Sequence, residues 1–197
     1  MKRLTLFLIL VFLVSCTPSL KNTISINPIS APTKEEKTET DYYKSESNPK
    51  VRVGIISDVR NFKIVAKMDG KSYEEAQDST KIIQMGIEKY FAESGYNVTL
   101  FNAPTITGEL ENWIVTIEPK TFYNKVEAKA DIILSLLNAK GRVIYRSKYS
   151  GVYGESGMFF SESDIEKTLT YAMHYALIEA SKDARLRELI SKNQVND

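Results

Sequence analysis

The sequence predicts a single α+β domain: a mainly antiparallel sheet of about five strands, with two amphipathic helices packed on one face. Apolar and polar residues alternate in several segments, which is typical of strands that bury one face. Two other segments repeat apolar residues every three or four positions, which indicates amphipathic helices. A turn at residues 138–141 joins the two longest strand segments as an antiparallel hairpin. The predicted order of elements is β-α-β-β-β-β-α.

A short apolar run precedes this domain. Lys2 and Arg3 come before residues 4–14, which are apolar except for Thr5. Two positive charges, a short apolar run and a small residue at the cleavage position are typical of a secretory signal peptide, which we expect at residues 1–15. A membrane-spanning helix would need about 20 apolar residues, so this run is too short to cross a bilayer.

Residues 13–16, Leu-Val-Ser-Cys, resemble the lipobox of bacterial lipoproteins. The resemblance implies that Cys16, the single cysteine of the sequence, is acylated and becomes the first residue of the mature chain. A triacylated cysteine provides stable anchoring, which a single acyl chain does not. Thr17 follows the cysteine, where an aspartate typically signals retention in the inner membrane, so the resemblance to enterobacterial lipoprotein sorting implies the periplasmic face of the outer membrane. The alternative is an incidental cysteine in an ordinary signal peptide.

Residues 16–49 are rich in Ser, Thr, Pro, Lys and Glu, unlike the rest of the chain. Because such a segment buries little apolar surface, we predict a flexible tether with a reach of roughly 30 Å. Residues 50–192 form the predicted domain and residues 193–197 a flexible tail. Without Lys2 and Arg3 the formal net charge changes from +1 to −1, so the sequence lacks the basic character of a nucleic-acid-binding protein.

The first predicted strand lies at residues 51–56, where apolar residues alternate. Residues 61–77 show no clear period and receive no firm assignment, although residues 62–68 are compatible with an extended segment and residues 69–72 with a turn. A helix follows, with Asp78 or Ser79 as its N-cap and Gly95 just after its end.

Strands at residues 96–100 and 112–120 precede the hairpin formed by residues 126–136 and 142–153. Two alanines in the first hairpin strand leave room for a helix over that face.

The last helix is predicted from its apolar stripe and from its start. Ser163 and Glu166 match a capping box, in which the two side chains satisfy each other's backbone N–H groups. A shorter apolar face continues beyond Lys182.

With these elements in order, the chain resembles the YajG-type lipoproteins, an uncharacterised family of bacterial envelope proteins. The resemblance is carried by residues 56–60 (Ile-Ser-Asp-Val-Arg), by the helix and strand at 85–98, by the hairpin at 126–151 and by the closing helix at 168–190. No activity is known for that family, so the resemblance implies a protein class and a cellular location rather than a mechanism.

Two sets of residues are candidates for an interaction site. Asp58 and Arg60 lie two positions apart on a strand and therefore share a face. They either form a structural pair at a turn or contact a ligand or partner. Tyr145, Tyr149 and Tyr153 recur every four residues on one strand face. Their abundance reflects either strand propensity or an aromatic interaction surface.

No catalytic or metal-binding constellation is recognisable. His174 is the single histidine and has no neighbouring cysteine or acidic cluster, so we expect a structural or surface role for it. The glycine-rich residues 151–157 lack the spacing of a phosphate-binding loop, and we expect a mobile loop there, with anion binding at the start of the last helix as the alternative. There is no G-x-S-x-G nucleophile elbow. The sequence thus predicts neither an enzyme nor a cofactor.

The function expected from these features is that of a lipid-anchored periplasmic binding or assembly module at the outer membrane. Its lipid would contact the membrane, and its sheet would contact an envelope protein or peptidoglycan. The alternative is an accessory lipoprotein of a lipid or lipopolysaccharide transport complex.

Overall fold

The computed structural model describes residues 22–24, 48–68, 71–75 and 78–194. Within these ranges the chain forms one eight-stranded sheet and three helices. The strands are β1 (Asn22–Ile24), β2 (Lys50–Asp58), β3 (Ile64–Met68), β4 (Lys71–Glu75), β5 (Asn97–Val98), β6 (Thr105–Pro119), β7 (Asn124–Leu137) and β8 (Val143–Gly157). The helices are α1 (Ser79–Glu93), α2 (Glu162–Lys182) and α3 (Ala184–Lys192).

The long strand β6 organises the sheet. One of its edges pairs antiparallel with β7 from Thr105 to Pro119. Its other edge pairs parallel with β2 as far as Leu110, and then with β3 at Val115 and Thr116. β5 extends the sheet beyond β2, β4 and β1 extend it beyond β3, and β8 lies beyond β7.

The α+β class and the long β7–β8 hairpin are confirmed, but the predicted sheet is wrong in strand number and in pairing. The pairs β1–β4, β2–β5, β2–β6 and β3–β6 are parallel, so the sheet is mixed rather than mainly antiparallel. Residues 61–77, which received no firm assignment, contain all of β3 and β4, and β6 begins at Thr105 rather than Asn112. Residues 151–157 belong to β8 instead of forming a mobile loop.

Strand β1 lies inside the segment that the composition predicts to be a tether. Asn22 pairs with Tyr73 of β4 and Ile24 pairs with Glu75. Ile24 is 2% exposed, so it belongs to the hydrophobic core. Ile24 and Ile26 alternate with polar residues, but two positions in a segment rich in Ser, Thr, Pro, Lys and Glu are too few to predict a strand.

Helices α1 and α2 pack against the sheet and enclose the core with it. Trp113 of β6 is fully buried and its indole N–H donates to the carbonyl of Leu169 in α2 at 3.0 Å. Ala128 and Ala130 of β7 are also fully buried and lie beside β8. Ala130 pairs with Gly151, where a Cβ would overlap the backbone of α2. The small residues therefore let α2 lie close to the sheet.

The helix caps are partly as predicted. Asp78 is the N-cap of α1, and Gly95 follows the helix with a φ of 82°, which glycine adopts without strain. The capping box of α2 is formed by Ser161 and Asp164, not by Ser163 and Glu166. Both pairs fit the same spacing, so the pattern alone does not distinguish two starts that lie two residues apart.

The close approach at Gly151 predicts a large effect of a small substitution. Gly151→Ala places a methyl group against the backbone at Ala172 and Ala176. We expect a loss of about 1–3 kcal/mol or more in the free energy of unfolding, since rigid backbone must move to accept it. Urea unfolding followed by circular dichroism measures this loss.

The matched control is Val152→Ala, on the next residue of the same strand, which is 51% exposed on the other face. Equal stability of the Gly151→Ala variant and the native chain would show that α2 does not approach β8 in this way.

Candidate functional site

Asp58 and Arg60 lie in a buried charged cluster at the end of β2. The Nη2 atom of Arg60 donates to Asp58 Oδ2 at 2.8 Å, to Glu75 Oε2 at 2.9 Å and to Ser79 Oγ at 3.0 Å. The hydroxyl of Ser79 donates in turn to Glu75 Oε1 at 3.1 Å. We call these four residues the Arg60 cluster, and it joins β2, β4 and the start of α1.

The electrostatics of the Arg60 cluster favour its charged form. The Arg60 side chain is 5% exposed, as is that of Glu75, and that of Asp58 is 11% exposed. Burial acts to lower the pKa of Arg60, but hydrogen bonds to Asp58 and Glu75 and their charges outweigh it and raise that pKa. The hydrogen bond from Arg60 also holds the pKa of Asp58 below its usual value. Arg60 is therefore engaged within the fold, with little surface to offer a ligand.

Tyr145 and Tyr149 meet at a residue that sequence reasoning missed. Both hydroxyls donate to Asp183 Oδ2 at 2.6 Å, and Asp183 Oδ1 accepts from the backbone N–H groups of Arg185 at 2.9 Å and Leu186 at 3.1 Å. Asp183 ends α2 and is also the N-cap of α3. This Asp183 cluster fixes the bend between the two helices against β8.

The hydrogen bonds of the Asp183 cluster shift the pKa values of its members. Burial acts to raise the pKa of Asp183, but the hydrogen bonds from Tyr145 and Tyr149 outweigh it, so this pKa is lowered. Burial, and then the hydrogen bond to Asp183, raise the pKa of Tyr149. Asp183 therefore stays ionised and both phenols stay protonated at neutral pH.

Tyr153 and His174 also face the helices. The ring of Tyr153 lies 4.7 Å from that of Tyr171 and 6.2 Å from that of Tyr175, measured between centroids. His174 is 2% exposed, and burial lowers its pKa to about 4. Its ring lies edge-on to Tyr90 at 6.4 Å. The histidine is thus neutral and packed in the core, in agreement with the structural role expected for it.

The opposite face of the sheet is covered by charged side chains in pairs. Arg146 contacts Glu109 at 2.9 Å, and Lys148 contacts Glu111 at 2.8 Å. Asp131 is 5% exposed, lies 3.1 Å from Lys129 and accepts from Ser150 at 2.5 Å. This face therefore presents paired opposite charges.

A groove of about 280 Å³ lies at the end of the sheet where β7 turns into β8. Arg52 lines it, with its Nε donating to Thr105 Oγ1 at 2.8 Å. Leu100 and Phe101 directly precede the lining residue Asn102 in the β5–β6 connection, and each is 74% exposed. The groove combines a guanidinium, side-chain amides and an apolar rim; we call it the distal groove. Its other lining residues are Asn102, Ala103, Leu137, Asn138, Ala139 and Gly141.

Cys16 lies outside the residues that the structure describes. Among the described residues, no three His, Cys, Asp or Glu side chains are placed to hold a metal ion. None of the helices in the described part of the chain is long and apolar enough to cross a membrane.

The Arg60 cluster predicts an unequal response to two arginine substitutions. Arg60→Met leaves Asp58 and Glu75 buried without their cation, so we expect a loss of about 3–5 kcal/mol in the free energy of unfolding. Arg146→Met removes an exposed ion pair and should cost less than about 1 kcal/mol. Urea unfolding of both variants measures the difference.

Adding Glu75→Gln to the Arg60→Met variant removes one unpaired charge and should restore part of the loss. A double variant less stable than the Arg60→Met variant would contradict the charge argument and point to lost packing instead.

The Asp183 cluster predicts a pH-dependent contribution to stability. Because the pKa of Asp183 is lowered in the folded state, its contribution is present above the unfolded value and is lost as pH falls through the folded value. Tyr145→Phe/Tyr149→Phe should cost about 1–3 kcal/mol at pH 7. The gap between this variant and the native chain should narrow below pH 3.8, the unshifted value.

Urea unfolding of the native chain and this variant, from neutral pH down to about pH 3, tests this expectation. Tyr123→Phe, at a 46% exposed tyrosine, is the control. A gap that stays constant with pH would rule out Asp183 as the partner of the two phenols.

A protein of known structure shares this fold, and others show a weaker likeness. A Xanthomonas campestris protein of family DUF330 superposes with a TM-score of 0.52 and 10% sequence identity, covering 88% of this chain and 94% of that chain. A minor lipoprotein from Acinetobacter baumannii matches with a TM-score of 0.39 and 8% identity, over 76% of this chain and 98% of that chain. A lipoprotein from Neisseria meningitidis matches with a TM-score of 0.37 and 8% identity, over 66% and 99%. No curated protein matches the sequence.

The sequence profile of one protein family matches residues 43–191, which contain β2 to β8 and α1 to α2. That family is described as "Uncharacterized lipoprotein". The match agrees with the lipobox and with the resemblance to YajG-type lipoproteins. Because it spans most of the sequence, the chain belongs to this uncharacterized lipoprotein family.

Proposed function

We propose that this lipoprotein is a non-enzymatic binding or assembly module, held by lipid on Cys16 to the periplasmic face of the outer membrane. The observation that carries the proposal is the family match over residues 43–191, with the Leu-Val-Ser-Cys sequence upstream of it. The acylated cysteine gives the chain its location, and the folded domain gives it a surface for a partner.

The internal engagement of the polar clusters supports binding rather than chemistry. The guanidinium of Arg60 and the carboxylate of Asp183 each have several hydrogen-bond partners within the fold. His174 is buried and neutral, so it is a poor general base at the surface. These groups hold the helices on the sheet, so their role in the fold is structural.

The distal groove is the surface that best suits a partner. Leu100 and Phe101 supply exposed apolar contact area, and Arg52 adds a charged donor next to them. An apolar contact with a nearby guanidinium is typical of protein–protein interfaces. The partner we infer is therefore an envelope protein, with peptidoglycan as the competing outcome.

The lipid anchor is tested by Cys16→Ser in intact cells. We expect the variant to lose fatty-acid labelling and to move from the membrane to the soluble fraction, because no other group carries the acyl chains. Ser19→Ala, just outside the lipobox, should leave both properties unchanged. Density-gradient separation of the membranes then tests the outer membrane against the inner.

Continued fatty-acid labelling and membrane association of the Cys16→Ser protein would contradict the proposal that Cys16 carries the lipid.

A photo-crosslinking residue at Phe101, compared with one at Val152 on the charged face, tests the partner in the same cells. A specific protein adduct at position 101 alone supports the module. Recovery of a lipid or lipopolysaccharide transport channel would favour the accessory role instead, and recovery of glycan alone would favour peptidoglycan.

A further inference from the structure

Four apolar side chains project from two neighbouring loops at the end of the sheet opposite the distal groove. Phe122 and Tyr123 lie between β6 and β7 and are 85% and 46% exposed. Met158 and Phe159 lie between β8 and α2 and are 69% and 87% exposed. Isolated exposed apolar residues are ordinary, but four on adjacent loops form a patch. We call this patch the aromatic tip.

Hydrogen bonds hold the two loops side by side. The backbone N–H of Lys120 donates to the carbonyl of Tyr123 at 2.8 Å and closes the β6–β7 turn. Asn124 pairs with Gly157 across β7 and β8, and its side-chain amide donates to the carbonyl of Met158 at 3.1 Å. The aromatic tip is therefore built on a firm base.

The register of the strands shows that the chain enters β1 from the same end. Asn22 pairs with Tyr73, Tyr73 pairs with Ala66, and Ala66 pairs with Val115 of β6. β1 is parallel to β4, and β4 is antiparallel to β3, which runs parallel to β6. β1 therefore runs opposite to β6, and the chain before Asn22 comes from the end at which β6 finishes.

The chain between Cys16 and Asn22 is long enough for the predicted lipid to reach the height of the aromatic tip. β6 continues from Val115 to Pro119, which at the rise of a strand is about 14 Å. The segment between Cys16 and Asn22 spans at most about 20 Å when extended. A segment of this length is sufficient for a lipid on Cys16 to reach the level of the aromatic tip.

We propose that the aromatic tip inserts into the interfacial region of the bilayer that holds the lipid anchor, as a second and non-covalent membrane contact. The proposal rests on acylation of Cys16, which belongs to the proposed function. Aromatic side chains favour the boundary between hydrocarbon and headgroups. Lys120 and Lys125 stand at the base of the tip, beside Glu118 and Glu127, where charged groups meet headgroups. The domain is thereby held in one orientation.

The test uses the full mature lipoprotein in phosphatidylethanolamine–phosphatidylglycerol vesicles that contain bromine-labelled acyl chains. Phe122→Trp and Phe159→Trp place a tryptophan at the tip, and Phe101→Trp places one beside the distal groove as the matched control. Trp113, the single native tryptophan, is fully buried and gives the same background in all variants. We expect a blue shift and several-fold stronger quenching at positions 122 and 159 than at 101.

The outcomes separate the tip from the anchor. A labelled, vesicle-bound chain in which positions 122 and 159 are quenched no more than position 101 overturns the tip contact alone. A native chain that neither takes up fatty acid nor binds vesicles overturns the anchor and, with it, the tip. If Phe122→Ser/Phe159→Ser converts a dimer in detergent to a monomer, the patch is an interface between two copies and the membrane proposal is wrong.

Discussion

The architecture depends on the length of β6, which pairs with two strands in succession along one edge. β2 leaves that edge after Leu110, and β3 joins it at Val115. Between these two residues the edge of β6 has no paired strand in the described part of the chain. Arg60, in the connection from β2 to β3, lies at this edge and donates from Nη1 to the carbonyl of Trp113 at 3.5 Å. A buried edge carbonyl needs a donor. The gap in pairing therefore explains why an arginine is buried there.

The buried charges stabilise junctions, whereas the exposed ones have little structural consequence. The Arg60 cluster lies where β2, β4 and α1 meet, and the Asp183 cluster lies where α2, α3 and β8 meet. At both places chain direction changes and backbone pairing alone does not fix the geometry. The surface pairs of the charged face each contribute about 0–1 kcal/mol. The two clusters thus decide how the helices sit on the sheet.

Sequence patterns predicted the elements that are long and local. The β7–β8 hairpin has an extended alternation, and Asp78 and Gly95 mark the ends of α1 by local chemistry. The pattern was not decisive for β3 and β4, which have five residues each and therefore too few positions for a period. It failed for the parallel pairs, since their partners are far apart in the chain and share no turn.

The same reason explains which site residues were found. Asp58 and Arg60 are two residues apart and were recognised as a pair, but Glu75 comes from a segment without a clear period and Ser79 from the start of α1. The spacing of four residues between Glu75 and Ser79, across the start of α1, was the available signal. Asp183 follows Tyr149 by 34 residues, and no local pattern joins them. The aromatic tip was missed because its loops come together only when β6, β7 and β8 are in register.

The length of β6 also separates the two ends of the domain, because its fifteen residues span about 50 Å. A domain that rests on its aromatic tip thus presents the distal groove well away from the bilayer, where an envelope partner has access to it.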